Sequence, residues 1–251
     1  MKVAVVTPTI NSVFLEKCLE SVQSQTCDRL THYIFVDGKE HFAGVKEKIE
    51  SNKFKNISLI TLDENVGKGW YGHRVYAASS FLVNSDVICY LDEDNWFEPD
   101  HVKNLTKKLM FGAQWAYSLR KIYDKEGNYV CNDNCESLGK WPVYFNDKVF
   151  HIDTSSFAVR TDVAVHIGHA WYGQWGADRK FFHNLSTHFP NYDCTNEYSL
   201  CYRLDGNPNS VTKEFFEQGN KVMKEKHGSS FPWNEKMNFN SVEIAPGLTL
   251  V

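Results

Sequence analysis

The sequence predicts an α/β protein built on a doubly wound, mostly parallel sheet, and three observations lead there. Short apolar runs rich in β-branched residues alternate four times with helical stretches over residues 1–91. Three of those runs end in polar clusters, Thr7-Pro8-Thr9, Asp37-Gly38 and Asp92-Glu93-Asp94. In such sheets ligands gather beyond the carboxyl ends of the strands, so the three clusters should share one edge.

The elements follow in order. Val3 to Val6 reads as a buried parallel strand stopped by Thr7-Pro8-Thr9. A helix comes next, capped by Asn11 or Ser12, with Phe14, Leu15, Cys18, Leu19 and Val22 on one face. Tyr33-Ile34-Phe35-Val36 is a second strand and Ile57-Ser58-Leu59-Ile60-Thr61-Leu62 a third, with a charged helical stretch over residues 45–49 between them. The turn-rich segment from Asp63 to Gly69 leads into a helix through Val75, Tyr76 and Phe81. Val87-Ile88-Cys89-Tyr90-Leu91 is the fourth buried strand, and it delivers the acidic triplet.

From Asp100 the pattern loosens. A helix through Val102, Leu105, Leu109 and Met110 precedes strands over 115–120 and 129–131, which flank the turn Asp124-Lys125-Glu126-Gly127. Phe157-Ala158-Val159 is a short strand. Thr161 caps a helix with Val163, Val165 and Ile167, and Asp178 begins another through Phe181, Phe182 and Leu185. A late strand over 200–204 ends at Asp205-Gly206-Asn207-Pro208, and Ser210 caps a helix with Phe215, Phe216 and Val222. The polar stretch 224–251 reads as a tail or lid.

Composition narrows the function classes. With 27 Lys+Arg against 31 Asp+Glu, the formal net charge of -4 offers no basic field for nucleic acid. The apolar run at the N-terminus is too short for a signal peptide, and no stretch approaches the ~20 apolar residues of a membrane span. A cytoplasmic protein without a transmembrane segment is therefore expected, and its 7 cysteines are expected to be reduced thiols. Cys131, Cys135, Cys194 and Cys201 lack the repeated short spacing of a zinc site.

Chemistry concentrates at Asp92-Glu93-Asp94. In extended chain Asp92 and Asp94 project to one side. Hard oxygen ligands there suit magnesium or manganese, completed by phosphate oxygens, whereas the bland alternative is a solvated acidic turn. The loop Asn65-Val66-Gly67-Lys68-Gly69, with His73-Arg74 after it, permits close approach of backbone to an anion but lacks the spacing of a Walker loop. Lys68 and Arg74 are its candidate contacts to base or phosphate.

The string Tyr90-Leu91-Asp92-Glu93-Asp94-Asn95-Trp96-Phe97-Glu98-Pro99-Asp100-His101, together with Val5-Val6-Thr7-Pro8-Thr9 and Val36-Asp37-Gly38, resembles the family 2 glycosyltransferases. That resemblance implies the GT-A fold with an Asp-x-Asp motif, a central mostly parallel sheet flanked by helices, and a smaller mixed acceptor-side half. It implies one domain over 1–251, with a nucleotide-sugar half at 1–100 and an acceptor and catalytic half at 101–223. By position, Thr7, Pro8 and Thr9 would cradle the nucleoside and Asp37 would bond base or ribose. Asp92 would approach the ribose or the metal, Asp94 would bind Mn2+ or Mg2+ on the diphosphate, and Glu93 is the variable middle residue of the nucleotide-sugar site.

Gly173-Gln174-Trp175-Gly176-Ala177-Asp178 resembles the family's later acidic motif, with Ala177 where its first acid usually stands, and assigns Asp178 as the base that deprotonates an acceptor hydroxyl. The alternative is that Asp178 merely favours the first turn of its helix. Asp153 and Thr154 fall at the family's acceptor-side loop. Trp171 and Trp175 are candidates for an acceptor-sugar platform, or for core. His151, His183 and His227 are unranked candidates for a further metal ligand. The implied partners are a nucleotide-sugar donor, by default a uridine one, and a glycan or other hydroxyl acceptor, with inversion at the anomeric carbon. The alternatives are a nucleotidyltransferase, whose glycine- and arginine-rich first loop is missing here, and a non-catalytic binding module of the same fold.

Overall fold

The computed structural model describes residues 1–204, 211–228 and 230–234. Its elements run β1 (Val3–Thr9), α1 (Leu15–Gln23), β2 (Leu30–Asp37), α2 (Phe42–Ser51), β3 (Ile57–Leu62), α3 (His73–Leu82), β4 (Val87–Tyr90), β5 (Trp96–Phe97) and α4 (His101–Met110). They continue through β6 (Trp115–Tyr123), β7 (Tyr129–Asn132), β8 (Phe157–Arg160), α5 (Thr161–Ile167), α6 (Ala177–His188), β9 (Tyr192–Arg203) and α7 (Lys213–His227). One sheet takes the strands in the order β3-β2-β1-β4-β8-β6-β9-β5, with β7 paired to β6. The first four strands are parallel. β8 then runs antiparallel to both β4 and β6, and β6 and β9 are parallel. The sheet is thus of the mostly parallel, doubly wound class in its first half and mixed in its second.

Period-two alternation explains why β1 and β4 are apolar throughout. Ala4, Val6, Ile88 and Tyr90 pack into one core cluster, whereas Val3, Val5, Val87, Cys89 and Leu91 pack into the other. Both faces of the sheet are covered, as a parallel sheet requires. Pro8 is tolerated inside β1 for a positional reason. The β1–β4 ladder ends at Val6 and Tyr90, with Leu91 N donating to Val6 O, and Pro8 is the next residue facing that side. Its missing N–H therefore points to where β4 has already turned away, so no ladder bond is lost.

Several boundaries differ from the sequence reading. The first helix starts at Leu15, with neither Asn11 nor Ser12 as its cap. Asn11 adopts a left-handed backbone, and Phe14 leaves the apolar stripe to lie 4.4 Å beneath the Arg203 guanidinium. Val165 faces outward from α5, since Val163 and Ile167 are separated from it by two positions and take the buried face. β9 begins eight residues earlier than the apolar run at 200–204, because pairing with β6 carries it through the polar segment 192–197, with a left-handed Asn196 at its irregularity. Thr212 caps α7 by accepting from Phe215 N. The expected turn at 205–208, the Ser210 cap and the part of the proposed tail beyond residue 234 lie outside the described residues.

Candidate active site

At the strand order's reversal between β1 and β4, a cleft of about 600 Å³ opens beyond the carboxyl ends of the strands. Pro8, Thr9, Asp37, Lys68, Asp92, Glu93, Asp94, Asp153, Thr154, Trp175 and Asp178 all line it. Thr7 and Trp171, expected at the site, do not face it. Thr7 is fully buried and shares a 3.0 Å hydrogen bond with His32 Nε2. Trp171 is fully buried and stacks on Phe181 at 4.0 Å, so its ring offers no face to a ligand.

The three acids of the triplet have three different environments. Asp92 is anchored: its Oδ1 accepts from the Tyr76 hydroxyl at 2.7 Å, and its Oδ2 accepts from Ser155 Oγ at 3.2 Å. Burial raises its pKa, and the Tyr76 bond opposes that shift. Glu93 turns back to the end of β1, where Thr9 Oγ1 and the backbone N–H groups of Ile10 and Ser12 donate to its carboxylate. It is therefore the clasp that holds the loop after β1, a role the family's variable middle position does not suggest. Asp94 is the carboxylate left without a side-chain partner among the described residues. Among the described residues no side chain donates to its carboxylate, and burial with the neighbouring charges of Asp92 and Glu93 pushes its pKa up to about 8.

Asp94 is nevertheless fixed through its backbone. Arg203 Nε donates to Asp94 O at 3.2 Å, Arg203 N donates to Asn95 Oδ1 at 3.0 Å, and the guanidinium lies 4.9 Å from the Trp96 ring centroid. Both oxygens of Asp37 accept backbone N–H groups of the glycine loop, Val66 at 2.7 Å and Gly67 at 2.8 Å. A Cβ on residue 67 would fall 2.5 Å from Asp37 Oδ2, which is why glycine stands there. Arg74 is placed in the wall behind this loop, outside the cleft lining. Its Nη1 donates to Val66 O at 3.3 Å, and its guanidinium sits 3.9 Å over Trp70.

The side of the cleft where an acceptor was expected rests on a buried ion cluster that the sequence did not reveal. Arg120 on β6 is 2% exposed and pairs with Asp133 at 2.8 Å, Glu136 at 2.5 Å and Asp153 at 2.8 Å. Its signal was an arginine in a strand whose other residues, Ser118 and Lys121 apart, are apolar. Asp153 also accepts from Ser155 N at 2.9 Å, so the residue is a brace beneath the cleft floor, and burial holds its pKa at about 6 despite Arg120. Asp178 enters the cleft at the start of α6, after the left-handed Gly176. Its Oδ1 accepts from Arg179 N at 2.8 Å, and its Oδ2 lies 3.7 Å from His151 Nε2. Trp175 keeps 60% of its surface exposed at the rim.

The cleft wall is predominantly anionic, and its hard carboxylate oxygens are chemically suited to a divalent cation. Among the described residues no cluster of three or more His, Cys, Asp or Glu side chains is arranged around a common point to hold a metal by itself. All seven cysteines are free. Among the described residues no helix is long and apolar enough to cross a membrane.

Comparison with known proteins bears on this geometry. Glycosyltransferase GlyA of Streptococcus pneumoniae serotype 4 is 28% identical over 113 residues, covering 43% of this chain and 15% of GlyA. The chain therefore spans a small part of that relative. The crystal structure of S. aureus TarS 1-349 in complex with UDP superposes with a TM-score of 0.63 at 13% identity, covering 90% of this chain and 65% of that one. TarS 1-349 in complex with UDP-GlcNAc gives 0.62 at 14% identity, again over 90% and 65%. At such identity these two matches speak for the fold, which is that of the GT-A glycosyltransferases. The sequence model of glycosyl transferase family 2 matches residues 4–167, from β1 through the triplet to the end of α5, and the chain belongs to that family.

Proposed function

We propose that this chain is a metal-dependent, inverting glycosyltransferase that moves a sugar from a uridine-type nucleotide-sugar to a hydroxyl of a glycan or other acceptor. The observation that carries the metal is Asp94, a carboxylate in an acid-rich cleft to which no side chain of the described residues donates. An anionic diphosphate would be repelled by such a wall unless a cation came with it. Magnesium and manganese sites commonly use one or two carboxylates and draw their remaining ligands from phosphate and water, so the lack of a complete cage among the described residues agrees with that use. Asp94 would hold the ion and Asp92, fixed by Tyr76 and Ser155, would hold ribose or the same ion. Bound there, the ion would supply charge stabilisation to the departing diphosphate.

The chain's own residues supply the rest. The loop held by Asp37 and the turn held by Glu93 would shape the nucleoside end of the cleft, with Pro8, Thr9 and Lys68 on its wall. Trp175 would offer a flat face to the acceptor. Asp178 takes the proton from the acceptor hydroxyl as that oxygen bonds to the anomeric carbon. The bond from that carbon to the phosphate oxygen breaks on the opposite side, and its electron pair leaves with the diphosphate. Support for a uridine donor comes from TarS, whose structures were determined with UDP and UDP-GlcNAc. Asp178→Ala tests the reading: transfer is expected to fall at least ~100-fold with donor binding kept. A non-catalytic module would bind donor and show no turnover before the mutation.

A further inference from the structure

We propose that His151 is the positioning residue of Asp178, holding the carboxylate toward the cleft by a hydrogen bond from Nε2–H to Oδ2; this rests on the assignment of Asp178 as base. The backbone at His151 is fixed, since its carbonyl accepts from Gly139 N at 2.9 Å. The ring is 4% exposed and lines the cleft, with Nε2 3.7 Å from Asp178 Oδ2. Its other nitrogen, Nδ1, is buried without a hydrogen-bond partner among the described residues. A buried polar atom left unpaired is costly, and structures keep such atoms where a function requires the group.

The pieces around Asp178 give this histidine a task. Oδ1 is already held by the N–H of Arg179. The Arg179 guanidinium is drawn elsewhere, to Glu136 at 3.6 Å and over the Trp175 ring at 4.9 Å. His151 is thus the side chain placed to steady Oδ2. Asp92 and Asp153 bring like charge to the same region, so the Asp178 carboxylate needs a partner that fixes its direction. A donor from His151 fixes that direction. The separation of 3.7 Å is that of a pair which closes when the acceptor enters, as catalytic hydrogen bonds commonly do. No proton passes to the imidazole in this step; the acceptor proton ends on Asp178.

The test uses the UDP-sugar, from a panel beginning with UDP-N-acetylglucosamine, that the full chain hydrolyses fastest with manganese chloride, followed by release of UDP to water. His151→Phe removes the donor and keeps a flat ring, whereas His151→Gln keeps an N–H donor. For His151→Phe, kcat is expected to fall ~10- to 100-fold with the donor KM changed less than about twofold. His151→Gln is expected to recover much of that loss. The inference is overturned if His151→Phe keeps kcat within about twofold, if only KM moves, or if His151→Gln is as slow as His151→Phe. Should His151→Phe not fold, His151→Ala read against His151→Gln decides by the same criteria. Asp178→Asn separates the two claims: if it hydrolyses donor at the parent rate, the base assignment itself falls, whatever His151 does. Absence of hydrolysis with every UDP-sugar overturns both.

Discussion

Asp94 and Glu93 are neighbours in sequence with opposite roles, and substitution should separate them. Glu93 accepts three hydrogen bonds from the loop after β1. Glu93→Gln would turn a donor toward that loop, so it is expected to lower stability by ~1–3 kcal/mol in a urea titration. Asp94→Asn removes a buried charge to which no side chain of the described residues donates. A carboxyl whose pKa is raised in the folded state destabilises that state as it ionises. The metal-free protein should therefore lose stability as pH rises from about 4 toward about 8. Asp94→Asn is expected to flatten that decline in thermal unfolding with chelator while abolishing metal-dependent activity. An unchanged pH slope in the variant would contradict the account of Asp94.

At the scale of elements, the site is a junction of loops held by buried polar anchors. The strands and the triplet at their carboxyl edge were legible in the sequence because apolar runs and their polar ends are local patterns. What holds the loops was not, because each anchor is a pair distant in sequence: Asp37 with Val66 and Gly67, Arg203 with Asp94, Arg120 with Asp133, Glu136 and Asp153. Thr7 and Trp171 were misplaced for a related reason. Alternation along β1 turns Thr7 away from the cleft, and an aromatic core of Tyr90, Phe157 and Phe181 claims Trp171. Arg120→Met would leave three buried carboxylates without their cation, and a loss of ~3–5 kcal/mol is expected by denaturant unfolding. Gly67→Ala would drive a methyl group against Asp37 Oδ2, so the donor KM should rise severalfold and the unfolding midpoint should fall.

Across the whole molecule, one continuous sheet joins a parallel half that ends in the glycine loop and acidic triplet to a mixed half that carries Arg120, His151 and Asp178. β8 is the seam. It pairs with β4 on one side and β6 on the other, so the turn before it, which holds Asp153 and Ser155, is set directly against Asp92. The two halves thus meet across a single strand, which explains how residues 92 and 178 reach one cleft and how the proposed donor and acceptor sides would face each other. The central claim is that a nucleotide-sugar binds here through a cation at Asp94. Thermal unfolding of the parent and of Asp94→Asn, with UDP-sugars in manganese or in chelator, tests it most directly. The parent is expected to gain several degrees with donor and manganese together, to lose that gain in chelator, and Asp94→Asn to show none of it. An equal gain in chelator, or in Asp94→Asn, would contradict the claim.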